Sequence, residues 1–390
     1  MTTNDNDPGT YTLWGAAHSY YTGKIRSYLL KKRVAFRELH PSHPDFQARI
    51  LPAVRHWVVP IMETPEGEIL QDSSDMIAHL EARFAQPQMI PDTPVQRAVA
   101  WLLGAFGSEA LLPAGMSYRW SYRAEQERFL SGEFGRAVYA GPDREARHRA
   151  GLRIMDYFND FLPILGVTPE TIATVETAYC ELLDALDVHF QNYPYLLGGR
   201  PSIADFGFMA PLYAHLSRDP VPATLMKNRA QNVYRWTERM NLASIADGEF
   251  GDCPESYPAN DEIPPTLEPV LRLIFQDWGA ELLANAAFFN AWIASNPSLP
   301  VGQVVCAGGN RKVHPTLGFL DYQWRGRSIR RHSLPHALWR FDEAAECARS
   351  LRGDARARFD ALVQRTGGEQ VMAIRLARPM KRQDYVLVLA

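Results

Sequence analysis

Over residues 11–83, short extended runs take turns with helical periodicity. Tyr11-Thr12-Leu13-Trp14 predicts a first strand, and residues 19–32 place Ile25, Tyr28 and Leu29 on one helical face. Val34 to Leu39 alternates as a second strand. A Pro- and His-rich loop with a short helix runs from His40 to Val54. Val58 to Met62 then predicts a strand, Glu66-Gly67 a turn, Glu68-Ile69-Leu70 another strand, and residues 73–83 a helix. The order βαβ, helix, ββα predicts a small mixed sheet flanked by helices.

Pro87, Pro91 and Pro94 mark a linker, after which residues 95–240 are almost all helical in pattern. One helix start is sharply written: Gly198-Gly199 interrupts, Ser202 is placed as N-cap, and Asp205 at N3 can reach back to the cap amide. Phe206, Met209 and Leu212 or Tyr213 supply its buried face. Residues 243–265 are rich in Asp, Glu, Pro and Gly. Beyond them the pattern predicts a long helix over 267–295 and a hairpin over 317–329 around Arg325-Gly326. Helices near Leu338–Ala348 and Phe359–Val363 follow, then a closing strand, Tyr385 to Leu389. The expected division is 10–86 (α/β), 95–243 (all-α) and 262–390 (an α+β extension).

Charge and composition narrow the function classes. A net charge of −3 gives no basic field for nucleic acid or an anionic membrane. The most apolar stretch, Leu271 to Ala294, is broken by Gln276, Asp277, Glu281 and Asn285. Met1 to Pro8 is polar and reads as a frayed tail rather than a targeting leader, so a cytoplasmic location is expected. The four cysteines, Cys180, Cys253, Cys306 and Cys347, are scattered and show no metal spacing. No helical HxxxH occurs either, so no metal is expected.

Three segments carry candidate chemistry. His18-Ser19-Tyr20-Tyr21-Thr22-Gly23-Lys24-Ile25-Arg26 opens the first helix, with Ser19 seven residues before Arg26. A hydroxyl at a helix N-terminus can donate to a thiolate, and the helix dipole favours the anion. Ser19 also fits a plain N-cap. His56 to Met62 holds the Val59-Pro60 step, and Leu70 to Leu80 holds Asp72-Ser73 at a helix start.

In this order and spacing, the three segments resemble the glutathione transferases, in their serine-type bacterial form, across about Tyr11 to Met240. The resemblance implies a thioredoxin-like domain, a helical domain and an additional C-terminal extension. It implies Ser19 as the thiolate donor, with Tyr20 or Tyr21 as the other candidates. It implies a cis Pro60, with the Val59 backbone pairing with the cysteinyl unit of glutathione, and Asp72 and Ser73 holding the γ-glutamyl end. Glutathione would be the co-substrate, a small-molecule electrophile the acceptor, and the assembly a homodimer. Conjugation, dehalogenation and isomerisation are all compatible. The other reading is a non-catalytic interaction module of the same family. Neither position 19 nor 22 is Cys, which leaves no CxxC for disulfide exchange.

Other positions stay open. His40, His43, Arg55 and His56 are all candidates for the glycyl carboxylate. Met116, Tyr118, Trp120 and Tyr122 are packing residues or an acceptor pocket. Arg325, Arg327, Arg330 and Arg331 read as a solvated hairpin face, or with Trp324 and Trp339 as an anion site.

Overall fold

The computed structural model describes residues 9–309 and 314–390; the polar tail expected at Met1 to Pro8 lies outside the described residues. The first unit runs β1 (Tyr11–Trp14), α1 (Tyr20–Lys32), β2 (Phe36–Leu39), α2 (Leu51–Val54), β3 (Ile61–Glu63), β4 (Ile69–Gln71) and α3 (Ser73–Arg83). The sheet order is β2-β1-β3-β4, with β1 parallel to β2 and the other pairs antiparallel. Side chains alternate across it as the pleat requires. Leu13 and Met62 join a core with Ile25, Tyr28, Leu29, Met76 and Leu80, whereas Trp14 and Ile61 pack with Phe46, Ile50 and Val54. This is a thioredoxin-like arrangement. The strand expected from Val58 begins only at Ile61, because Pro60 has no N–H to donate to a ladder.

The second unit contains α4 (Pro94–Glu109), α5 (Leu112–Trp120), α6 (Arg123–Val138), α7 (Arg144–Asn159), α8 (Ile172–Asn192), α9 (Ile203–Ala214), α10 (Pro220–Arg229) and α11 (Gln231–Met240). Helix α9 is buried along nearly its whole length and crosses α4 closely. A Cβ on Gly207 would stand 2.4 Å from the Gly104 carbonyl, so this crossing needs glycine. The start of α9 is the capping box written in the sequence: Ser202 Oγ accepts from Ala204 N, and Asp205 accepts from Ser202 N at 2.9 Å. The helical stretch Pro94–Trp120 is long and apolar enough to cross a membrane by length and composition; 67% of its most apolar window is buried inside the protein.

The extension opens with α12 (Leu267–Ser295), which packs on α8. β5 (Phe319–Trp324) and β6 (Arg327–His332) form a hairpin whose turn residues Arg325 and Gly326 have φ of 48° and 74°. Then come α13 (Pro335–Arg349) against α4, α14 (Gly353–Thr366), α15 (Glu369–Met372), and the antiparallel pair β7 (Met380–Gln383) and β8 (Val386–Leu389). The arginine cluster is only partly a solvated face. Arg331 is buried in an ion pair with Glu281 at 2.6 Å, and Arg325 ties Asp277 and Glu181. Arg330 remains exposed, paired with Asp321. Met116, Tyr118 and Trp120 are buried core residues, and Tyr122 donates to Glu176.

Candidate active site

Three chain segments leave the sheet at one end because of a single register row. Trp14 pairs with Ile61, and Ile61 pairs with Gln71. Trp14 leads to Ser19, Ile61 follows Pro60, and Gln71 precedes Asp72 and Ser73. The row therefore brings to one end of the sheet the segments that carry Ser19, Val59-Pro60 and Asp72-Ser73.

Ser19 is half-buried, in extended conformation (φ −81°, ψ 126°), and its Oγ accepts from Thr22 N at 3.4 Å as the N-cap of α1. The loop before it is held from the helical unit. Arg119 Nη1 donates to the His18 carbonyl at 3.0 Å, and Asp219 grips the same guanidinium at 2.6 and 2.9 Å. Burial, and then Arg119 itself, pushes the His18 imidazole well below its ordinary pKa, so it is neutral there. Tyr20 and Tyr21 donate their hydroxyls to the Gly107 and Ser108 carbonyls of α4, at 3.4 and 3.2 Å. Burial raises both phenols far above their ordinary range.

The Val59–Pro60 peptide is cis, as the resemblance implies. Among the described residues, no hydrogen bond engages the Val59 backbone. Its N–H and C=O are free to receive an extended peptide by strand addition.

Asp72 caps α3: Oδ1 accepts from Ser74 N at 2.8 Å, and Ser73 is buried behind it. Asp72 sits at φ 85°, a conformation that costs a non-glycine residue roughly 1–3 kcal/mol and marks functional positions. Its other oxygen, Oδ2, accepts from His336 Nε2 and from Arg382 Nη1, each at 3.2 Å. Both donors come from the extension. His336 also contacts Glu109 through Nδ1 at 3.3 Å, while Arg382 bonds Gln71 and lies 3.3 Å from Asp75. Burial alone would raise the Asp72 carboxyl; the hydrogen bond and charge of His336, with Arg382 behind, hold it well below its usual range. Burial would lower His336, but Glu109 and Asp72 lift it to about 9.

Sequence reading missed these partners, and also Lys24. The Lys24 ammonium is buried between Ser74 Oγ (3.1 Å) and Ser108 Oγ (3.2 Å), and burial, then Arg340, lowers it to about 8. A signal for it existed. Lys24 lies on the helical stripe of Tyr21 and Tyr28, where a lysine is out of place unless it serves a polar site. Of the four glycyl candidates, Arg55 and His56 line a cleft of about 600 Å³ with Ala53, Val54 and, from the extension, Asp384 and Tyr385. His40 instead contacts the Arg136 carbonyl, and His43 pairs with Asp45.

Residues 13–88 match the glutathione S-transferase N-terminal domain, and residues 152–242 match the glutathione S-transferase C-terminal domain. These two stretches of the chain thus carry the two domains of a glutathione S-transferase. Solved structures similar to it include a glutathione S-transferase from Rhodospirillum rubrum F11, at 14% identity over 65% of this chain and 96% of that one, with a TM-score of 0.36. Another is the glutathione transferase GSTFuA3 of Phanerochaete chrysosporium, at 12% identity over 62% and 100%, with a TM-score of 0.41. A third is a Methylobacterium radiotolerans glutathione S-transferase in complex with glutathione sulfonate, at 20% identity over 65% and 100%, with a TM-score of 0.32. No curated protein sequence matches the chain.

Proposed function

We propose that this protein binds glutathione at the end of its four-stranded sheet and presents the thiolate to an electrophilic small molecule. The observation that supports this reading is the register row Trp14–Ile61–Gln71, from one end of which the segments carrying Ser19, Val59-Pro60 and Asp72-Ser73 leave the sheet. The cysteinyl backbone pairs with the unengaged Val59 amide and carbonyl. The Ser73 hydroxyl and the α3 amides take the γ-glutamyl carboxylate, and Arg55 or His56 takes the glycyl carboxylate across the cleft.

Ser19 then donates its hydroxyl hydrogen to the sulfur. Together with the α1 N-terminus this lowers the thiol pKa, so that more of the bound tripeptide is nucleophilic at neutral pH. The tyrosines do not compete for this role, since their hydroxyls are spent on α4 carbonyls. The test is calorimetric titration of the intact chain with reduced glutathione, with turnover of an electrophilic chloroarene measured alongside. Saturable binding with turnover supports the enzyme. Saturable binding without turnover of any electrophile removes the catalytic role, and no binding at millimolar glutathione removes the glutathione site and leaves the interaction module as the leading reading.

A further inference from the structure

Asp72 is the residue that would pair with the ammonium of a γ-glutamyl group, and its outward oxygen is already taken. His336 and Arg382 stand 3.2 Å from Oδ2, and the inward oxygen is spent on the Ser74 amide. Neither donor is loosely placed. His336 is braced by Glu109, and Arg382 is braced by Gln71 and Asp75. An ammonium brought to the same oxygen would stand against two cations in a site largely closed to water, where like charges repel strongly.

The charges surrounding Asp72 point the same way. Among the described residues, positive groups arrive from α1 (Lys24), α13 (His336 and Arg340) and β7 (Arg382), and the His314 imidazole, its pKa lowered by burial, stands near His336, Glu109 and Asp72. Negative groups arrive from α3 (Asp72 and Asp75), α4 (Glu109) and α13 (Glu343). On the positive side His336 is lifted to about 9 and the guanidinium groups stay protonated, while burial, then Arg340, lowers Lys24 to about 8. The negative side is weaker. Burial, then Asp72, raises Asp75 to about 6, and burial also raises Glu343. Two of the cations are under-used as well. Among the described residues, Lys24 hydrogen-bonds only the hydroxyls of Ser74 and Ser108, and Arg340, bonded to Glu343, keeps a buried Nε with no hydrogen-bond partner. An entering carboxylate therefore meets donors with capacity to spare, whereas an ammonium meets an Asp72 whose oxygens are already taken.

We infer that His336 and Arg382 set ligand specificity at this end of the site, which selects an acidic thiol whose terminal carboxylate is not accompanied by an α-ammonium. This rests on the proposed glutathione-type site and narrows its ligand. The class is a thiol peptide or thiol acid ending in a plain alkyl carboxylate where glutathione carries its amino acid.

The experiment compares glutathione with its des-amino analogue, glutaryl-cysteinyl-glycine, by titration of the full chain at neutral pH and low salt. The expected result is tighter binding of the des-amino peptide, by tenfold or more. Arg382→Gln and His336→Gln should each narrow the preference, and the double variant should reverse it. Arg382→Lys keeps the charge and should keep the preference, which separates the electrostatic role from a merely structural one. Thermal melts of each variant confirm the fold, and the wild-type comparison needs no variant. Glutathione binding as tightly as the analogue, or more tightly, overturns the inference and leaves the glutathione site standing. Failure of both peptides to bind removes the site itself.

Discussion

The imidazole of His336 meets the carboxylate of Asp72 at 3.2 Å, joining residues 264 positions apart and tying the extension to the mouth of the thioredoxin-like unit. His336 is lifted to about 9 from an ordinary 6.5, so its share of stability is complete below about pH 6.5 and fades as pH rises through 9. Asp72 is held low, so its share is complete above its ordinary range and fades only in acid. Docking of α13 and β7 should therefore hold from weakly acidic pH to about 9 and loosen above. Hydrogen exchange of α13 amides at pH 7 and pH 10, in wild type and His336→Gln, measures this once intrinsic exchange rates are corrected. Equal alkaline loosening in both proteins would refute it.

If Ser19 donates to the glutathione sulfur as proposed, Ser19→Ala removes one hydrogen bond to an anionic acceptor, worth about 1.5–3 kcal/mol. The pKa of bound glutathione should rise by about one to two units, and turnover at neutral pH should fall roughly in proportion. The lost helix cap costs only about 1 kcal/mol of stability. Following the thiolate by its ultraviolet absorbance through a pH titration gives the shift directly, and an unchanged titration would move the role elsewhere.

Arg119 and Asp219 form a buried bidentate pair beneath the Ser19 loop. Arg119→Met leaves the Asp219 carboxylate buried without its cation and frees the His18 carbonyl. A loss of about 3–5 kcal/mol is expected in denaturant unfolding. Arg119→Met with Asp219→Leu should recover a good part of that stability but not the turnover, because the loop before Ser19 stays unanchored. Full recovery of both would reduce the pair to a packing detail.

Asp205 accepts from Leu196 N, Ser202 N and Trp236 Nε1 at 2.9, 2.9 and 3.2 Å. Asp205→Ala strands three buried N–H donors, each costing about 1–3 kcal/mol, and also loses the Ser202 hydroxyl bond. Asp205→Asn keeps one accepting oxygen and should cost less, whereas Ser202→Ala should cost only about 1 kcal/mol. Denaturant midpoints of the three variants should follow that order, and Ser202→Ala proving the worst would contradict it.

Local chemistry was written in the sequence, and long-range pairing was not. The α9 capping box lies within four residues and could be read from Ser202 and Asp205. The long helix α12 follows from its apolar periodicity. Ser19, Pro60 and Asp72 could be named together because a resemblance supplied the row that only strand pairing otherwise shows. β7 escaped notice because Met380-Lys381-Arg382-Gln383 is mostly polar, its alternation too short to stand out. Arg331 passed for a surface residue because its buried partner, Glu281, lies fifty positions back on another element. The hold of His336 and Arg382 on Asp72 has no local signature, since each is an ordinary polar residue until the extension folds back.

The distance along the chain between Asp72 and Arg382 also sets an order of assembly. The cation is made 310 residues after the carboxylate it neutralises, a lag of roughly 15–60 s at ribosomal speeds of about 5–20 residues per second. For much of that interval Asp72 stands without the two cations that hold its outer oxygen in the finished protein. This corner of the molecule can therefore close only after the extension has been made.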